Sequence, residues 1–457
     1  MSEQIYNPSD TICAVSTAPG VGGIAVIRLS GSQAIEIADK VWQGRALAAA
    51  GSHTAHLGNI VDADGETLDQ AVALVFRGPR SYTGEDTVEF SVHGSRWIQR
   101  AVLQALVRAG ARIALPGEYT RRAYAAGNLD LAQAEAVADL IAAASRGAHR
   151  AAMSQMRGKV SGRLAQLREQ LLHFASLIEL ELDFSDQDVE FVPREDLVGL
   201  ARGIEDEIER LLKSFETGAA VKNGFPIAII GPVNAGKSAL LNAILDDDRA
   251  IVSDIPGTTR DVVEDWREVG DYLIRFLDTA GLRITDDAIE RIGIERSRRA
   301  AADAAVVINL IDATDPQPLE DGIEDSRLIV AVNKADIADA ETIAAKLRSE
   351  GRDAVAISAL RRQGIDTLLK AIEKKLTAKV DSDACDDILI TAARHAEALR
   401  SALASTRAAI AAIRAGIPTD LVAQDLRETL HHLSAITGAI TTPEILNTIF
   451  THFCIGK

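Results

Sequence analysis

The spacing of apolar positions predicts mixed α/β structure in the first 120 residues. Short apolar runs at 24–29, 71–76 and 88–92 are bounded by glycine and proline turns, which is typical of β-strands. Helical patterns fall between these runs. This part of the chain is therefore expected to form one α/β domain.

From residue 129 to about residue 212 the apolar positions take helical spacing instead. The residues that follow this spacing are Leu131, Ala134, Val137, Ala138 and Ile141, and then Leu164, Leu167, Leu171 and Leu172. Apolar stripes at i, i+3 and i+4 predict helices that pack on other helices.

A second α/β pattern interrupts the helical one. Residues 214–225 are predicted to be a linker, and strands and helices then alternate to about residue 377, which is typical of a parallel sheet. A polar stretch follows at 379–387, and 388–450 is helical again. We therefore predict a multidomain α/β plus all-α chain, in which the second α/β domain is inserted into one helical domain. The predicted boundaries are 1–122, 123–218, 219–378 and 379–457.

Composition narrows the class of protein. Of 457 residues, 47% are apolar and 25% are charged, which indicates a globular chain. The net charge of −17 argues against broad binding of nucleic acid by the whole surface. Three scattered cysteines, the lack of a basic and apolar leader, and the lack of an apolar run near ~20 residues predict a cytoplasmic protein without a membrane span.

A phosphate-binding loop is predicted where the inserted domain begins. The apolar run at 227–230 leads directly into GPVNAGKS at 231–238, and a helical pattern follows. This is the G-x-x-x-x-G-K-[ST] spacing in its strand–loop–helix context. Backbone N–H groups and Lys237 can hold phosphates there, and the Ser238 hydroxyl can ligate Mg²⁺.

Two further segments suit the same phosphate site. GTTRD at 257–261 offers a hydroxyl for a second magnesium bond, and DTAG at 278–281 closes a predicted strand. The Asp278 carboxylate can hold Mg²⁺ through water, and the Gly281 N–H can meet a γ-phosphate.

The base is predicted to be guanine. NKAD at 333–336 follows a predicted strand, and the Asp336 carboxylate can accept hydrogen bonds from the guanine N1–H and N2–H₂ groups. Adenine offers no such pair. The segment 358–360, Ser-Ala-Leu, can place a backbone N–H near the guanine O6. The four motifs, in this order, resemble the translation-factor-related GTPases. Many of these carry a water-orienting glutamine where this chain has Leu282, so the catalytic group must come from elsewhere.

Further segments along the chain can be set beside these motifs: GPVNAGKS, SDIPGTTRD, DTAGLR, ERIGIER and the terminal FCIGK, and the N-terminal PGVGGI, YTGED, PGEYT and LDLAQAEA. Together they resemble the MnmE (TrmE) family, the GTPases of tRNA wobble-uridine modification, over the whole chain. The resemblance implies a folate-binding-like, dimerising N-terminal domain, a helical domain in two segments, and an inserted P-loop G domain with a mainly parallel sheet.

The resemblance also implies roles for individual residues. Asn234, Ser253, Ile255 and Thr258 match ligands of a potassium ion, while Ser238 and Thr259 match the magnesium ligands. The implied catalytic residues are Glu290, which would orient the attacking water, together with Lys237, Thr258 and Cys454. The GTP-contacting residues are Asn234, Ala235, Gly236, Lys237, Ser238, Ala239, Ser253, Asp254, Ile255, Pro256, Gly257, Thr258, Thr259, Asp278, Thr279, Ala280, Gly281, Asn333, Lys334, Asp336, Ser358, Ala359 and Leu360.

A folate site is implied in the N-terminal domain. Arg28, Glu89 and Lys457 match its residues, whereas Asn128 stands where the family usually has lysine. A 5-formyl- or methylene-tetrahydrofolate would supply one carbon. The implied partners are a second copy of the chain and an MnmG (GidA)-like FAD protein, in a heterotetramer that supplies most of the tRNA contacts. The alternative is a regulatory GTPase switch in ribosome assembly, and the N-terminal domain and FCIGK tail favour tRNA modification.

Overall fold

The computed structural model describes residues 7, 9–183, 193–245, 266–277, 299–319, 322–384, 388–451, 453 and 456. The chain divides into two compact units, one of Met1–Ala138 with Ser434–Lys457 and one of Asp139–Leu433. Among the described helices, none combines the length and the apolar character that crossing a bilayer requires.

The strands are β1 Ile12–Val15, β2 Gly22–Ser30, β3 Trp42–Gln43, β4 Thr54–Val61, β5 Thr67–Phe76, β6 Thr87–Gly94, β7 Arg112–Ile113, β8 Phe225–Ile230, β9 Trp266–Val269, β10 Tyr272–Phe276, β11 Val306–Asp312, β12 Leu328–Asn333 and β13 Ala354–Ala356. The helices are α1 Ala34–Lys40, α2 Arg96–Ala109, α3 Glu118–Ala125, α4 Leu131–Ala142, α5 Arg146–Met156, α6 Lys159–Asp183, α7 Arg194–Asn223, α8 Lys237–Leu245, α9 Ala340–Ser349, α10 Ile365–Asp383, α11 Ala393–Ala415, α12 Thr419–Thr437 and α13 Pro443–Thr451, with a short 3-10 helix at Leu47–Ala49.

The first unit is built on a seven-stranded sheet in the order β3-β4-β5-β6-β2-β1-β7. Its pairs are antiparallel except for β1 and β7. Alternation along β2 buries Ile27 and Leu29 in a core shared with α1 and α2, and leaves Arg28 on the other face. The C-terminal helix α13 belongs to this unit, where Phe450 and Phe453 pack on Leu131 of α4.

The second sheet has six strands in the order β13-β12-β11-β8-β10-β9. All its pairs are parallel except that of β9 with β10. The strands β8, β11 and β12 are buried almost throughout, as expected for a sheet covered on both faces. Strand β8 lies between β10 on one side and β11 on the other, so the strand order changes direction there. Open α/β sheets bind ligands at such a switch point.

The predicted linker at 214–225 is wrong. Helix α7 continues to Asn223, and β8 begins only two residues later. Small and polar residues of this segment are buried rather than solvated: the Thr217 hydroxyl donates to Asp383 at 2.6 Å, and the Ser214 hydroxyl accepts from the Ile390 N–H at 3.1 Å. The polar stretch after 379 is likewise helical as far as Asp383, at the end of α10.

The predicted helical stripes are mostly correct. Leu164, Leu167 and Leu171 of α6 are buried, but Leu172 is 41% exposed. Ile141, near the end of α4, is 50% exposed. Both residues sit at the edge of an apolar stripe, where sequence spacing alone cannot tell a core position from a surface one.

Candidate functional site

The phosphate-binding loop lies between β8 and α8, at the switch point of the second sheet. Gly231 and Gly236 have φ values of +141° and +98°, and Asn234 lies in the left-handed region at +64°. A Cβ on Gly231 would lie 2.4 Å from the Leu310 carbonyl oxygen. Glycine is therefore required there both by backbone conformation and by the close approach of β11.

Lys237 curls back over this loop. Its ammonium donates to the carbonyl oxygens of Gly231 and Pro232, each at 2.8 Å. Ser238 follows it in the first turn of α8 and is exposed. The lysine charge and the exposed Ser238 thus stand together at a helix N-terminus, as a bound phosphate with Mg²⁺ requires.

A single buried amide joins the phosphate loop to the loop that was predicted to face the base. The Asn333 Nδ2 donates to the Ala235 carbonyl at 2.8 Å, and its Oδ1 accepts from the Ala359 N–H at 2.9 Å. Gly236 is glycine for the same reason, because a Cβ there would lie 2.4 Å from the Asn333 Nδ2. The two loops are therefore held in fixed register by one side chain.

The carboxylate of Asp336 is held at the mouth of this arrangement. Its Oδ1 accepts from the Ser358 hydroxyl at 2.6 Å, and the Arg361 guanidinium lies 4.0 Å from Oδ2. The Ser358 hydrogen bond, with the residue's own N–H and then Arg361, lowers the pKa of Asp336 below its ordinary value. The group is therefore an ionised double acceptor at neutral pH.

Lys334 is fixed beside it by a second ion pair. Its ammonium lies 2.5 Å from Oδ2 of Asp312, at the end of β11, and its backbone φ is +68°. Burial opposes ionisation of Asp312, but hydrogen bonds from Lys334 and Thr314 lower its pKa overall. This pair ties the loop that was predicted to face the base to the carboxyl end of the neighbouring strand, a contact that the sequence motif did not reveal.

Other predicted GTP-site residues are placed as follows. Ala235 and Ala359 are buried, whereas Leu360 is 82% exposed. Ala239 is exposed in the first turn of α8. The predicted residues that lie outside the described residues are Ser253, Asp254, Ile255, Pro256, Gly257, Thr258, Thr259, Asp278, Thr279, Ala280, Gly281, Glu290, Cys454 and Lys457.

The structure brings the predicted Arg28 and Glu89 together in the first unit. They face each other across β2 and β6, and the Arg28 Nε donates to a Glu89 carboxylate oxygen at 2.7 Å. The Arg28 guanidinium also lies over the rings of Tyr82 and Tyr119, at 5.6 and 5.5 Å from their centroids. Asn128 donates to the Tyr82 carbonyl at 3.2 Å, so it adjoins this cluster.

The two tyrosines adjoin the predicted folate residues, and sequence reasoning missed them. The Tyr119 hydroxyl donates to the Arg28 carbonyl at 2.7 Å, and the Tyr82 hydroxyl lies 2.9 Å from Thr120 Oγ1. Burial raises the pKa of Tyr82, against a lowering by Thr120 and Arg28, so the ring stays neutral beside the guanidinium. Their only sequence signal was their place within the YTGED and PGEYT segments.

Comparison with known proteins decides the family. Residues 11–128 match the family model described as GTP-binding protein TrmE N-terminus, and residues 131–454 match the MnmE helical domain. The tRNA modification GTPase MnmE of Parabacteroides distasonis is 48% identical over 98% of this chain and 100% of its own length. The chain belongs to the MnmE family.

Other MnmE relatives show the same full-length correspondence. The tRNA modification GTPase MnmE of Cytophaga hutchinsonii is 45% identical and covers 99% of both chains. The FeoB G-domain from Methanococcus jannaschii is 28% identical over 34% of this chain and 98% of its own, with a TM-score of 0.25. A TM-score this low adds nothing to the assignment, which depends on the MnmE matches.

Proposed function

We propose that this chain hydrolyses GTP in a K⁺-stimulated reaction and, with an FAD-dependent partner, modifies C5 of the tRNA wobble uridine. The observation that carries the GTP part is the Asn333 amide, which fixes the phosphate loop against the loop bearing Asp336 and Ser358. A site that fixes the phosphate loop relative to the loop that would contact guanine suits the binding and hydrolysis of GTP. Full-length similarity to tRNA modification GTPases supports the tRNA part.

The donors around the phosphate loop fit Mg²⁺ and K⁺. Ser238 presents an exposed hydroxyl beside the Lys237 ammonium, and oxygen ligands are what Mg²⁺ prefers. Thr259 would complete the magnesium set. Asn234, at the left-handed turn of the loop, would contribute to a K⁺ site with Ser253, Ile255 and Thr258. The bound cations would supply positive charge where negative charge develops during phosphoryl transfer.

The Arg28 cluster fits a tetrahydrofolate derivative as the one-carbon donor. A guanidinium engaged by Glu89 through Nε and flanked by two aromatic rings is rigid, and it offers its terminal N–H groups to a polar ligand. Lys457 would join it. Asn128 lacks the positive charge with which a lysine at this position could meet the ligand's glutamate tail.

Replacing Arg28 by alanine should abolish measurable binding of 5-formyl-tetrahydrofolate. The change removes the guanidinium and leaves Glu89 without its partner, so an unpaired carboxylate would repel the acidic ligand. Isothermal titration of the full-length protein measures this. Arg45→Ala, at an exposed position of the same unit, is the matched control. Wild-type folate affinity in Arg28→Ala would contradict the assignment, and GTP hydrolysis should be unchanged in both variants.

The tRNA reaction is tested in cells that lack the protein. Mass spectrometry of their tRNA should show loss of the carboxymethylaminomethyl or aminomethyl group at C5 of the wobble uridine. Intact modification together with a ribosome-assembly defect would favour the alternative, a regulatory GTPase switch. Restoration by the wild-type gene, but not by a variant that cannot bind GTP, ties the modification to the nucleotide site.

The proposed assembly is a cytoplasmic homodimer that joins an MnmG-like FAD protein in a heterotetramer. Residues 1–122 are proposed to dimerise, and the predicted domains 123–218, 219–378 and 379–457 complete the family organisation. The net charge of −17 supports a partner that supplies most of the tRNA contacts. Sedimentation of the nucleotide-free chain at micromolar concentration should show a dimer, and a monomer would refute this part.

A further inference from the structure

Helix α2 carries a row of basic side chains on the face turned away from its sheet. Val102, Leu106 and Ala105 of this helix are buried in the core, whereas Arg96, Arg100 and Arg108 are exposed. Within the part of the chain that the structure describes, no carboxylate pairs with any of these three arginines. They form a local reversal of charge in a chain of net charge −17.

Two open clefts flank this row. Arg100, Gln104 and Arg108 line both of them, so they form the ridge between a cleft of about 390 Å³ and one of about 440 Å³. Spaced by four residues each, they follow one face of the helix over about 12 Å. The one carboxylate that lines the first cleft, Asp62, already accepts the backbone N–H groups of Asp64 and Glu66. Among the described residues it forms no ion pair with an arginine, and the two arginines that line this cleft outnumber it.

An exposed aromatic ring stands beside the ridge. Trp97 lines the first cleft and is 57% exposed, whereas Trp42 in the same unit is buried. A tryptophan with an open face next to arginines suits stacking with an unpaired nucleobase, and the arginines suit the adjoining phosphates. Tryptophan and arginine are also enriched at protein interfaces, and it is the tRNA substrate of the proposed function that favours nucleic acid at this face.

We propose that this α2 face, formed by Arg96, Trp97, Arg100, Gln104 and Arg108, binds tRNA directly. The arginines contact the phosphate backbone and Trp97 stacks on an unpaired base. The proposal rests on tRNA as the substrate of the proposed function, but not on its folate or potassium parts. Since only three phosphates are neutralised, the contact is weak alone and adds to those of the partner protein.

The salt dependence of tRNA binding tests the arginines. The full-length protein is titrated with a tRNA transcript between about 50 and 200 mM KCl. Arg96→Ala/Arg100→Ala/Arg108→Ala should lower the affinity for tRNA at least about tenfold at the lowest salt. The slope of log K against log [KCl] should become less negative by about two to three, because three phosphate contacts are lost. The control Arg45→Ala/Lys370→Ala/Lys374→Ala removes the same exposed charge elsewhere and should change neither. Equal effects in the two triple variants would overturn the proposal.

Trp97 is tested separately. Trp97→Ala should lower tRNA affinity about tenfold without changing the salt slope, and Trp97→Phe should retain most of the affinity because a ring remains. Quenching of tryptophan fluorescence by tRNA should disappear in Trp97→Phe. Unchanged tRNA affinity in the arginine variant, with loss of binding to the FAD partner, would assign the face to that partner protein and overturn the proposal. GTP hydrolysis should be normal in every variant, so failure here is separable from failure of the GTPase.

Discussion

Replacing Asp336 by asparagine should lower the affinity for GTP by about 10²- to 10⁴-fold. The carboxylate is placed to accept two hydrogen bonds from the guanine edge, and a bond to a charged acceptor contributes about 1.5–3 kcal/mol. Ser358 and Arg361 keep the pKa of Asp336 low, so the wild-type acceptor is charged at neutral pH. The asparagine amide can keep the Ser358 hydrogen bond through its oxygen, so the loop is expected to keep its shape.

Xanthosine triphosphate should be gained as GTP is lost. The C2 carbonyl of xanthine would accept a hydrogen bond from the new asparagine N–H₂. The 2-amino group of guanine is a donor, so in GTP two donors would face each other at this position. Equilibrium titration with both nucleotides measures the reversal. Asp339→Asn makes the same chemical change three residues away, at a carboxylate that caps α9 through Thr342, and should not alter nucleotide selectivity. Undiminished GTP affinity in Asp336→Asn would refute the base assignment.

GTP hydrolysis should be about 10²- to 10³-fold faster in K⁺ than in Na⁺ at equal ionic strength. Removal of one well-placed charge or hydrogen-bond donor from a transition state typically slows a reaction by about this factor. Leu282 stands where related GTPases have a water-orienting glutamine, so another source of positive charge is needed. Backbone carbonyl oxygens fit K⁺ better than the smaller Na⁺. The proposed ligand Asn234 already occupies the left-handed turn of the phosphate loop.

Single-turnover hydrolysis in matched KCl and NaCl is the decisive measurement. Asn234→Ala should lose most of the K⁺ stimulation while still binding Mg²⁺–GTP. Glu290→Ala should lose the fast phase with little change in nucleotide affinity, because it is proposed to hold the water rather than the nucleotide. Equal rates in the two salts would show that the cation assignment is wrong, even for a working GTPase.

The buried strands and the phosphate loop could be read from sequence because their signals are local. The apolar run before Gly231 and the helix after Ser238 fix the loop's context, and the alternation around Arg28 fixes its face. What could not be read were contacts between distant segments. The sequence placed Asn333 in a base-binding motif, but its bonds to Ala235 and Ala359 depend on β8 and β12 flanking β11.

The linker was wrongly predicted for the same reason, because its contacts with distant segments could not be inferred from the local sequence. Serine, threonine and glycine near residue 217 look like solvent-exposed connection when only composition is considered. They are buried because distant segments supply their partners: Asp383 at the end of α10 for Thr217, and the Ile390 N–H, just before α11, for Ser214. Those partners lie more than 160 residues further along the chain, beyond the reach of any local pattern.

A helix in place of a linker has a mechanical consequence. The 30 residues of α7 form a rod of about 45 Å, and only Gly224 separates it from β8, the strand that leads into the phosphate loop. Gly224, at the junction, has a φ of +81°, and a Cβ there would lie 2.5 Å from the Trp266 ring. Helix α7 packs on α5, α6, α10 and α11, so the strand that leads into the phosphate loop is joined through a single residue to the helical part of the second unit. A displacement of β8 would therefore be passed to those helices, where a flexible linker would absorb it.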